Sequence, residues 1–263
     1  MTDGNILTDI GADGVAIVTM NRPEVHNAFN DAVIAEMTAA LRRLGEDERV
    51  RAVVLRAAGK SFSAGADLGW MQRMAGYGQV ENLRDAEGLA ELMRVLNFLP
   101  RPTVAVVQGA AFGGGVGLVA CCDIAIAAET ASFSLSEVKL GLIPSVISPY
   151  VVAAIGERAS RRYFLTAERF DADEAARIGL VHQVVPADQL DAAVASILAR
   201  LGEGGPAAQK AAKDLVFAVT RRPIDATVIR DTAERIATIR ASSEGREGLS
   251  AFLEKRKPAW TAR

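Results

Sequence analysis

The stretch that decides the fold is VAVVQGAAFGGGVGLVACCDIAIAA, at residues 104 to 128. Its first four residues, Val104 to Val107, predict a buried strand, because the run is short, apolar on both faces and preceded by Pro100 and Pro102. Three glycines follow at 113 to 115, and residues 116 to 122 are apolar all round, which favours a short buried helix. The pattern therefore predicts a strand, a tight glycine turn and a helix that begins at the turn.

The beginning of that helix is a candidate site. The first N–H groups of a helix have no partner within it, and its N-terminus carries a partial positive charge. Such a terminus can hold an anion, or an oxygen that becomes one during a reaction. A close-packed turn without chemistry is the alternative, since three glycines alone are a weak motif. The spacings of a dinucleotide-binding motif and of a phosphate-binding loop are both absent from the sequence.

Composition narrows the functional classes. The chain has 263 residues, 50% of them apolar, which is enough for one large domain or two small ones. A net charge of −2 with both signs interspersed disfavours nucleic-acid and membrane-surface binding. Neither a signal peptide nor an apolar run of about 18 residues is apparent, so we expect a cytoplasmic protein. The two cysteines, Cys121 and Cys122, are adjacent in the predicted buried helix, and the two histidines, His26 and His182, lie in different segments, so a metal site or a catalytic triad is not expected.

Outside the central stretch, strands and helices alternate. Hydrophobic periodicity predicts further strands at 15–20, 51–57, 123–128 and 132–135, and helices over 33–44, 68–74 and 79–99. The loop SFSAGADL, residues 61 to 68, follows a strand and leads into a helix, and so repeats the arrangement of the glycine turn. The order indicates a centre built from repeated β-β-α units.

The C-terminal part of the chain has a different character. Residues 151–176 and 186–253 are helical in composition, interrupted only at 181–185 and 202–206. The amphipathic segments 207–219 and 228–239 have to bury an apolar face, and another subunit is one surface that would do so. We divide the chain into a core of residues 1–200 and a helical subdomain of residues 201–263.

Five segments, in this order, resemble the enoyl-CoA hydratase/isomerase family, the crotonase superfamily, over essentially the whole chain. They are NRPEVHNAFN at 21–30, SFSAGADL at 61–68, VQGAAFGGGVGLVACCDIAIA at 107–127, FSLSEVKLGLIP at 133–144 and EGREGLSAFLEKRKP at 244–258. The resemblance implies an α/β fold of the crotonase (ClpP-like) type, a spiral of repeated ββα units with a helical C-terminal trimerisation subdomain. It also implies a homotrimer or a dimer of trimers.

The resemblance further implies an active site. The backbone N–H groups of Ala66 and Gly114 would form an oxyanion hole for the thioester oxygen, which becomes an enolate oxygen during the reaction. Glu137 would be the acid/base group, and we expect burial to raise its pKa. Two-glutamate hydratases of the family carry a second carboxylate at the position of Gly117, which this chain lacks. Binding of coenzyme A is implied for Ala66, Gly114 and six further residues: Val25, Ala64, Asp67 and Leu68, and from a neighbouring subunit Phe252 and Lys255.

The amino-acid sequences of three segments favour one reaction. Residues 61–75, 135–151 and 157–170 look most like bacterial methylglutaconyl-CoA hydratases of leucine and terpenoid degradation, which are lyases. We therefore expect hydration of the C2=C3 bond of 3-methylglutaconyl-CoA or a similar branched, carboxylated enoyl-CoA. A Δ3-Δ2 enoyl-CoA isomerase and a non-catalytic acyl-CoA-binding oligomer remain alternatives, because only one carboxylate is present. No metal or redox cofactor is implied, and coenzyme A is part of the substrate.

Two features bear on the choice of substrate. Ser145, Val146 and Ile147 stand where many relatives carry a glycine-rich turn, and this loop should border the acyl pocket. A distal carboxylate on the substrate would need a cation, for which Arg73, Lys139 and Arg158 are the candidates.

Overall fold

The structure is a computed structural model that describes residues 4–261. Within this range, nine strands form two sheets: β1 Ile6–Ile10, β2 Val15–Met20, β3 Ala52–Ala57, β4 Thr103–Val107, β5 Ala110–Phe112, β6 Ile124–Ala128, β7 Ser132–Ser134, β8 Phe170–Asp171 and β9 Gln183–Val185. The same residues contain ten α-helices: α1 Asp31–Glu46, α2 Leu68–Met74, α3 Gln79–Asn97, α4 Gly114–Cys121, α5 Ser148–Thr166, α6 Ala172–Arg177, α7 Leu190–Glu203, α8 Pro206–Val219, α9 Ala226–Ala241 and α10 Ser243–Leu253.

The larger sheet has the strand order β1-β2-β3-β4-β6-β9, and only the β1–β2 pair is antiparallel. Its central strands are apolar on both faces, as parallel strands covered from both sides require. One face packs under α1, α3, α4 and α5 in the main core, which contains Leu55, Ala105 and Leu118. The opposite face, with Val54, Val104 and Ile126, is covered by α7.

The smaller sheet has the order β5-β7-β8, with β5 and β7 parallel. Two isolated parallel bridges, Ser63 with Ala111 and Phe29 with Ala66, extend it beyond β5. In successive units the first strand therefore joins the larger sheet and the second joins the smaller one: β4 is followed by β5, and β6 by β7. This arrangement confirms the repeated ββα units expected from the sequence.

The last three helices, α8 to α10, pack mainly on one another and are attached to the core by a charged pair. The Lys213 ammonium on α8 donates to the Asp123 carboxylate at 2.8 Å, and the same carboxylate accepts from the backbone N–H and hydroxyl of Thr103. These helices leave a set of large apolar side chains exposed: Val216, Phe217, Ile224, Ile229, Ile236, Leu249, Phe252 and Leu253. Within residues 4–261, no helix is long and apolar enough to cross a membrane.

Most of the predicted elements are confirmed to within two residues. Strands β1, β5 and β8 have no counterpart in the prediction, and β8 divides the region 151–176 that was expected to be helical. Gly114 and Gly115 belong to the first turn of α4, and only Gly113, at φ 51°, forms the turn before it. The boundary drawn at residue 200 lies inside α7, which packs on the larger sheet; the division into two units stays a prediction.

Candidate active site

Three predicted site residues each follow one of three neighbouring strand segments of the smaller sheet. In this sheet Ala111 of β5 pairs with Ser63 on one side and with Phe133 of β7 on the other. Ala66 lies three residues after Ser63, Gly114 lies three residues after Ala111, and Glu137 lies four residues after Phe133. Because these neighbours run parallel, their carboxyl ends meet at one edge of the sheet, where ligands of α/β proteins commonly bind. Topology therefore brings the three residues together.

The Ala66 N–H is available at this edge. Phe29 N–H donates to the Gly65 carbonyl at 2.7 Å, and Asp67 N–H donates to the Phe29 carbonyl at 2.7 Å. In a parallel bridge of this kind, the N–H of the residue between them points away from the partner. Within the described part of the chain, the Ala66 N–H has no hydrogen-bond acceptor.

The Gly114 N–H is the second available donor. It is the first residue of α4, so its N–H has no intrahelical partner, and it has none elsewhere among residues 4–261. A methyl group at Gly114 would lie 2.8 Å from the Phe29 ring. Phe29 thus contacts this helix terminus as well as bridging to Ala66, and so fixes both donors relative to each other. The sequence analysis missed this residue, although it lies in the NRPEVHNAFN segment.

The two donor loops touch each other. The Cα of Gly113 and a methyl group placed at Gly65 would be 4.0 Å apart, and the Gly65 methyl would be 3.2 Å from the Phe112 carbonyl oxygen. The Phe112 N–H donates to the Ser63 carbonyl, and the Gly113 N–H donates to the Ser134 carbonyl, both at 2.9 Å. The site is therefore assembled by main-chain contacts among its three loops.

Glu137 completes the arrangement from a 3₁₀ helix over Glu137–Leu140. A methyl group at Gly113 would lie 3.2 Å from its Oε1, so the carboxylate faces the glycine turn. Its Oε2 is buried, and within the described residues it has no hydrogen-bond partner. Burial raises the pKa of the Glu137 carboxyl above its ordinary value, and the residue's own backbone N–H opposes this only in part. The expected direction of the shift is thus confirmed.

Glu137→Gln is expected to raise the melting temperature at neutral pH by ~2–4 °C, or about 1 kcal/mol, because the neutral amide avoids the cost of a partly desolvated charge. Because the folded-state pKa is raised, the folded protein binds more protons than the unfolded chain between the ordinary and the raised value. Its stability therefore falls as pH rises through that window. Thermal unfolding of both proteins across a pH series measures the difference, which should vanish below the ordinary carboxyl pKa. A difference that grew on acidification would contradict the assignment.

Gly117 lies one turn after Gly114 on α4. It stands at the position at which, by the resemblance, two-glutamate hydratases carry their second carboxylate. It is buried, and a methyl group there would overlap Ile147 Cγ2 and lie 2.9 Å from Ile147 Cβ. The loop of residues 145–147, which the sequence analysis placed beside the acyl pocket, thus reaches this helix. Two surface cavities among the described residues, of about 540 Å³ and 740 Å³, are lined by other parts of the chain.

The residues predicted to bind coenzyme A fall into two groups. Val25, Ala64, Asp67 and Leu68 lie in or beside the loops that carry the Ala66 donor, and the Ala64 N–H donates to the His26 carbonyl at 2.9 Å. Phe252 and Lys255 lie at the end of α10; Phe252 is 80% exposed. A single chain does not bring this second group into contact with Glu137, so a contribution from a neighbouring subunit stays a prediction.

Asp67 also holds the donor loop in place. Its carboxylate accepts from the Gly69 and Trp70 N–H groups at the start of α2 and pairs with the Arg22 guanidinium at 3.0 Å. Arg22 donates in addition to the Ala28 carbonyl at 2.7 Å, so it connects the loop to the segment before α1. The desolvation of Asp67 is outweighed by these donors, which leave its pKa lowered.

Asp67→Ala is expected to lower the free energy of unfolding by about 1–2 kcal/mol, because it removes the cap of α2 together with the ion pair. The Ala66 donor would also be less well fixed, so kcat of any reaction that uses this donor should fall by about tenfold. Chemical unfolding and steady-state kinetics measure the two effects. Asp67→Asn is the matched control, since asparagine caps equally well. If Asp67→Asn lost as much stability as Asp67→Ala, the cap would not be what the side chain contributes.

The histidines do not form a second site. His26 Nδ1 lies 3.1 Å from the Ser61 hydroxyl, a contact that the sequence analysis did not foresee, but no carboxylate contacts the imidazole within residues 4–261. His182 Nδ1 accepts from the Ala125 N–H at 3.1 Å and supports β6. The described residues contain no cluster of three or more histidine, cysteine or acidic side chains suited to a metal ion.

Comparisons with known proteins show which family this chain is similar to. The family model described as enoyl-CoA hydratase/isomerase matches residues 11–263. A crystal structure of an enoyl-CoA hydratase from Shewanella pealeana is 48% identical with a TM-score of 0.95, covering 98% of this chain and 96% of that one. The short-chain-enoyl-CoA hydratase of Clostridium acetobutylicum is 34% identical over 92% of each protein. The crotonyl-CoA hydratase of Syntrophomonas wolfei is 32% identical over 92% of this chain and 93% of its own.

Proposed function

The chain belongs to the enoyl-CoA hydratase/isomerase family and has its crotonase fold, and from this premise we propose that it hydrates the C2=C3 bond of an enoyl-CoA thioester. The observation that carries the proposal is the convergence of three groups at one sheet edge. Two backbone N–H groups without acceptors, at Ala66 and Gly114, lie beside the Glu137 carboxylate, whose Oε2 is buried without a partner among the described residues.

The proposed mechanism divides the work between these groups. The two N–H donors bind the thioester oxygen and stabilise it as negative charge develops on it during addition. Glu137 takes a proton from the water that attacks C3, and then returns a proton to C2. A carboxylate whose pKa is raised by burial is a stronger base than an ordinary one, so it takes the proton from water more readily, and the carboxyl formed in that step then holds the proton that is returned to C2. No metal or redox cofactor takes part, and coenzyme A enters with the substrate.

The proposed substrate is 3-methylglutaconyl-CoA or a similar branched, carboxylated enoyl-CoA. Support for this choice comes from the sequence resemblance of the segments around residues 61–75, 135–151 and 157–170. Of the three candidate cations for the distal carboxylate, Arg73 pairs with Asp31 at 2.7 Å. Lys139 is exposed, lies two residues from Glu137, and forms no ion pair within the described part of the chain. Lys139 is therefore the cation to test first.

Lys139→Met is expected to raise KM for 3-methylglutaconyl-CoA by about two- to fivefold, the cost of one exposed charge contact in a binding site, and to leave KM for crotonyl-CoA unchanged. Steady-state kinetics with both thioesters measure the split. Arg158→Met, on the exposed side of α5, is the comparison variant. An equal rise in KM for both substrates would show that Lys139 does not bind a distal carboxylate.

The packing around Gly117 favours a second candidate, a Δ3-Δ2 enoyl-CoA isomerase. Ile147 fills the space in which a second carboxylate would lie, so the position that could help to hold a water molecule is apolar. Moving a proton between C2 and C4 requires one base and no water, and Glu137 alone can do this.

We also propose that the protein works as a trimer or a dimer of trimers. The exposed apolar side chains of α8 to α10 form a surface of the kind that monomeric proteins rarely leave uncovered. In such an assembly, Phe252 and Lys255 would reach the coenzyme A of a neighbouring subunit.

The decisive test follows the absorbance of the conjugated enoyl-thioester band, which hydration of a 2-enoyl-CoA removes and isomerisation of a 3-enoyl-CoA creates. Three substrates are compared: 3-methylglutaconyl-CoA, crotonyl-CoA and a 3-enoyl-CoA. Hydration of the first two that disappears in Glu137→Gln would support the hydratase, and a preference for the first would support the finer substrate. Turnover of the 3-enoyl-CoA alone would establish the isomerase instead. Binding of all three without turnover would overturn both in favour of an acyl-CoA-binding oligomer.

A further inference from the structure

Gly117 and Ile147 share one space at the inner end of the candidate site. A methyl group on Gly117 would overlap Ile147 Cγ2, lie 2.9 Å from Ile147 Cβ and 3.2 Å from Met93 Cε. Real side-chain carbons do not come this close, so a side chain at 117 requires Ile147 to move. The two residues are far apart in the sequence, and each departs from the pattern of the family that the chain resembles.

Ile147 has little freedom to move. It is 2% exposed and branched at Cβ, so its first side-chain torsion is stiff. Its carbonyl accepts from the Tyr150 and Val151 N–H groups at 3.1 and 3.0 Å, which fixes its backbone at the beginning of α5. Met93 on the other side is fully buried, and the Cys121 thiol lies 3.7 Å from its sulfur.

The shared space borders the reacting groups. Gly117 lies one turn along α4 from the Gly114 donor, so the two residues lie on one face of the helix. Glu137 and Ile147 lie near the two ends of the segment that connects β7 to α5. Glu137 Oε1 faces Gly113 just before α4, Ile147 contacts α4 at Gly117, and α5 packs on α4. The Ile147 and Met93 side chains thus form an apolar wall one helical turn from an oxyanion donor.

On the basis of the proposed function, we propose that Ile147 is a specificity-determining residue: by filling the space above Gly117 it closes the acyl pocket at that end, limits the acyl group to a short or compact one, and keeps Glu137 as the single carboxylate. Its effect depends on Gly117, because the isoleucine fits only while position 117 has no side chain.

The first test needs no activity. Gly117→Ala is expected to lower the melting temperature by about 5 °C in the native background, because it overpacks the space. In the Ile147→Ala background the same change should leave the melting temperature unchanged or raise it, since alanine is the better helix former. Additive effects of the two substitutions would overturn the coupling.

The second test measures acyl-group selection by calorimetry with two saturated thioesters, butyryl-CoA and octanoyl-CoA, and so requires no turnover. Ile147→Ala is expected to shift the ratio of their dissociation constants by about tenfold in favour of octanoyl-CoA, because the extra methylenes can be buried in the vacated space. Ile126→Ala is the matched control. Ile126 is also fully buried, but it lies on the sheet face covered by α7. The ratio of the two dissociation constants should therefore be the same in Ile126→Ala as in the native protein.

The outcomes separate this proposal from the hydratase assignment. An unchanged ratio in Ile147→Ala, or an equal shift in Ile126→Ala, would overturn the role of Ile147 whatever reaction the protein catalyses. A tenfold shift in Ile147→Ala together with no hydration of any enoyl-CoA would uphold Ile147 as the wall of an acyl-CoA site while the proposed hydratase failed.

Discussion

Glu137→Gln is expected to reduce kcat for the preferred enoyl-CoA by about 10³- to 10⁴-fold, the upper part of the range for one general acid/base group. The loss should be this large because a single carboxylate performs both proton transfers. Gly117 provides no second acid, and Ile147 fills the space where one would lie. Glutamine has nearly the same shape, so the affinity for a saturated acyl-CoA should stay within about twofold of the native value.

The measurement is single-turnover and steady-state hydration, with calorimetric binding of butyryl-CoA beside it. Glu129→Gln, at an exposed glutamate that follows β6, is the control and should keep native kinetics. A loss of less than about tenfold in Glu137→Gln would show that another group supplies the protons. A similar loss in affinity and in kcat would show that Glu137 binds the substrate and does not react with it.

The second large effect is expected for Gly113→Ala, which should lower kcat by about 10²- to 10³-fold, the size found when an oxyanion donor is lost. Gly113 has φ 51° and ψ −119°, a backbone conformation that residues with a Cβ rarely adopt. The added methyl would also lie 3.2 Å from Glu137 Oε1. Relief of both strains would turn the Gly114 N–H away from the thioester oxygen and displace the carboxylate.

Gly156→Ala is the matched control for backbone strain. Gly156 also has a positive φ, 75°, but a methyl group there would have no neighbour within 4 Å. Both variants should lose stability, by about 1–3 kcal/mol, as expected for a strained residue. Only Gly113→Ala should also have a lower kcat, and Gly156→Ala should keep the native kcat. Equal kinetic losses in the two variants would mean that the activity depends on global stability and not on the geometry of the turn.

The sequence predicted the larger elements because their patterns are strong. The apolar runs of β3, β4 and β6 and the periodic apolar positions of α1 and α3 each carry a local signal of buried surface. Strands β5 and β8 are two or three residues long, which is too short for any periodicity to appear. Their positions are set by neighbours in the smaller sheet, and those neighbours are distant in sequence.

Some features of the candidate site were likewise predicted from the sequence, and others were missed. Resemblance to a family singled out Ala66, Gly114 and Glu137, which the structure brings to one edge of the smaller sheet, and the desolvation of Glu137 followed from its apolar surroundings. The roles of Phe29 and Arg22 in fixing the donor loop were missed, because they act through contacts across the chain. The overlap of Ile147 with the space beside Gly117 was also beyond prediction, since it depends on where α5 begins relative to α4.

The edge of the smaller sheet has a consequence for how such a site changes over generations. Two of the three groups proposed to act there are peptide N–H groups, and a codon change at Ala66 or Gly114 removes that hydrogen only if it introduces proline. Nearly every amino-acid replacement at Glu137 removes the carboxylate. In proteins that descend from this scaffold, the two N–H groups are therefore retained through most substitutions, while the carboxylate is lost by almost any substitution at its position. New activities can then arise by replacing single side chains around a pair of donors that is already in place.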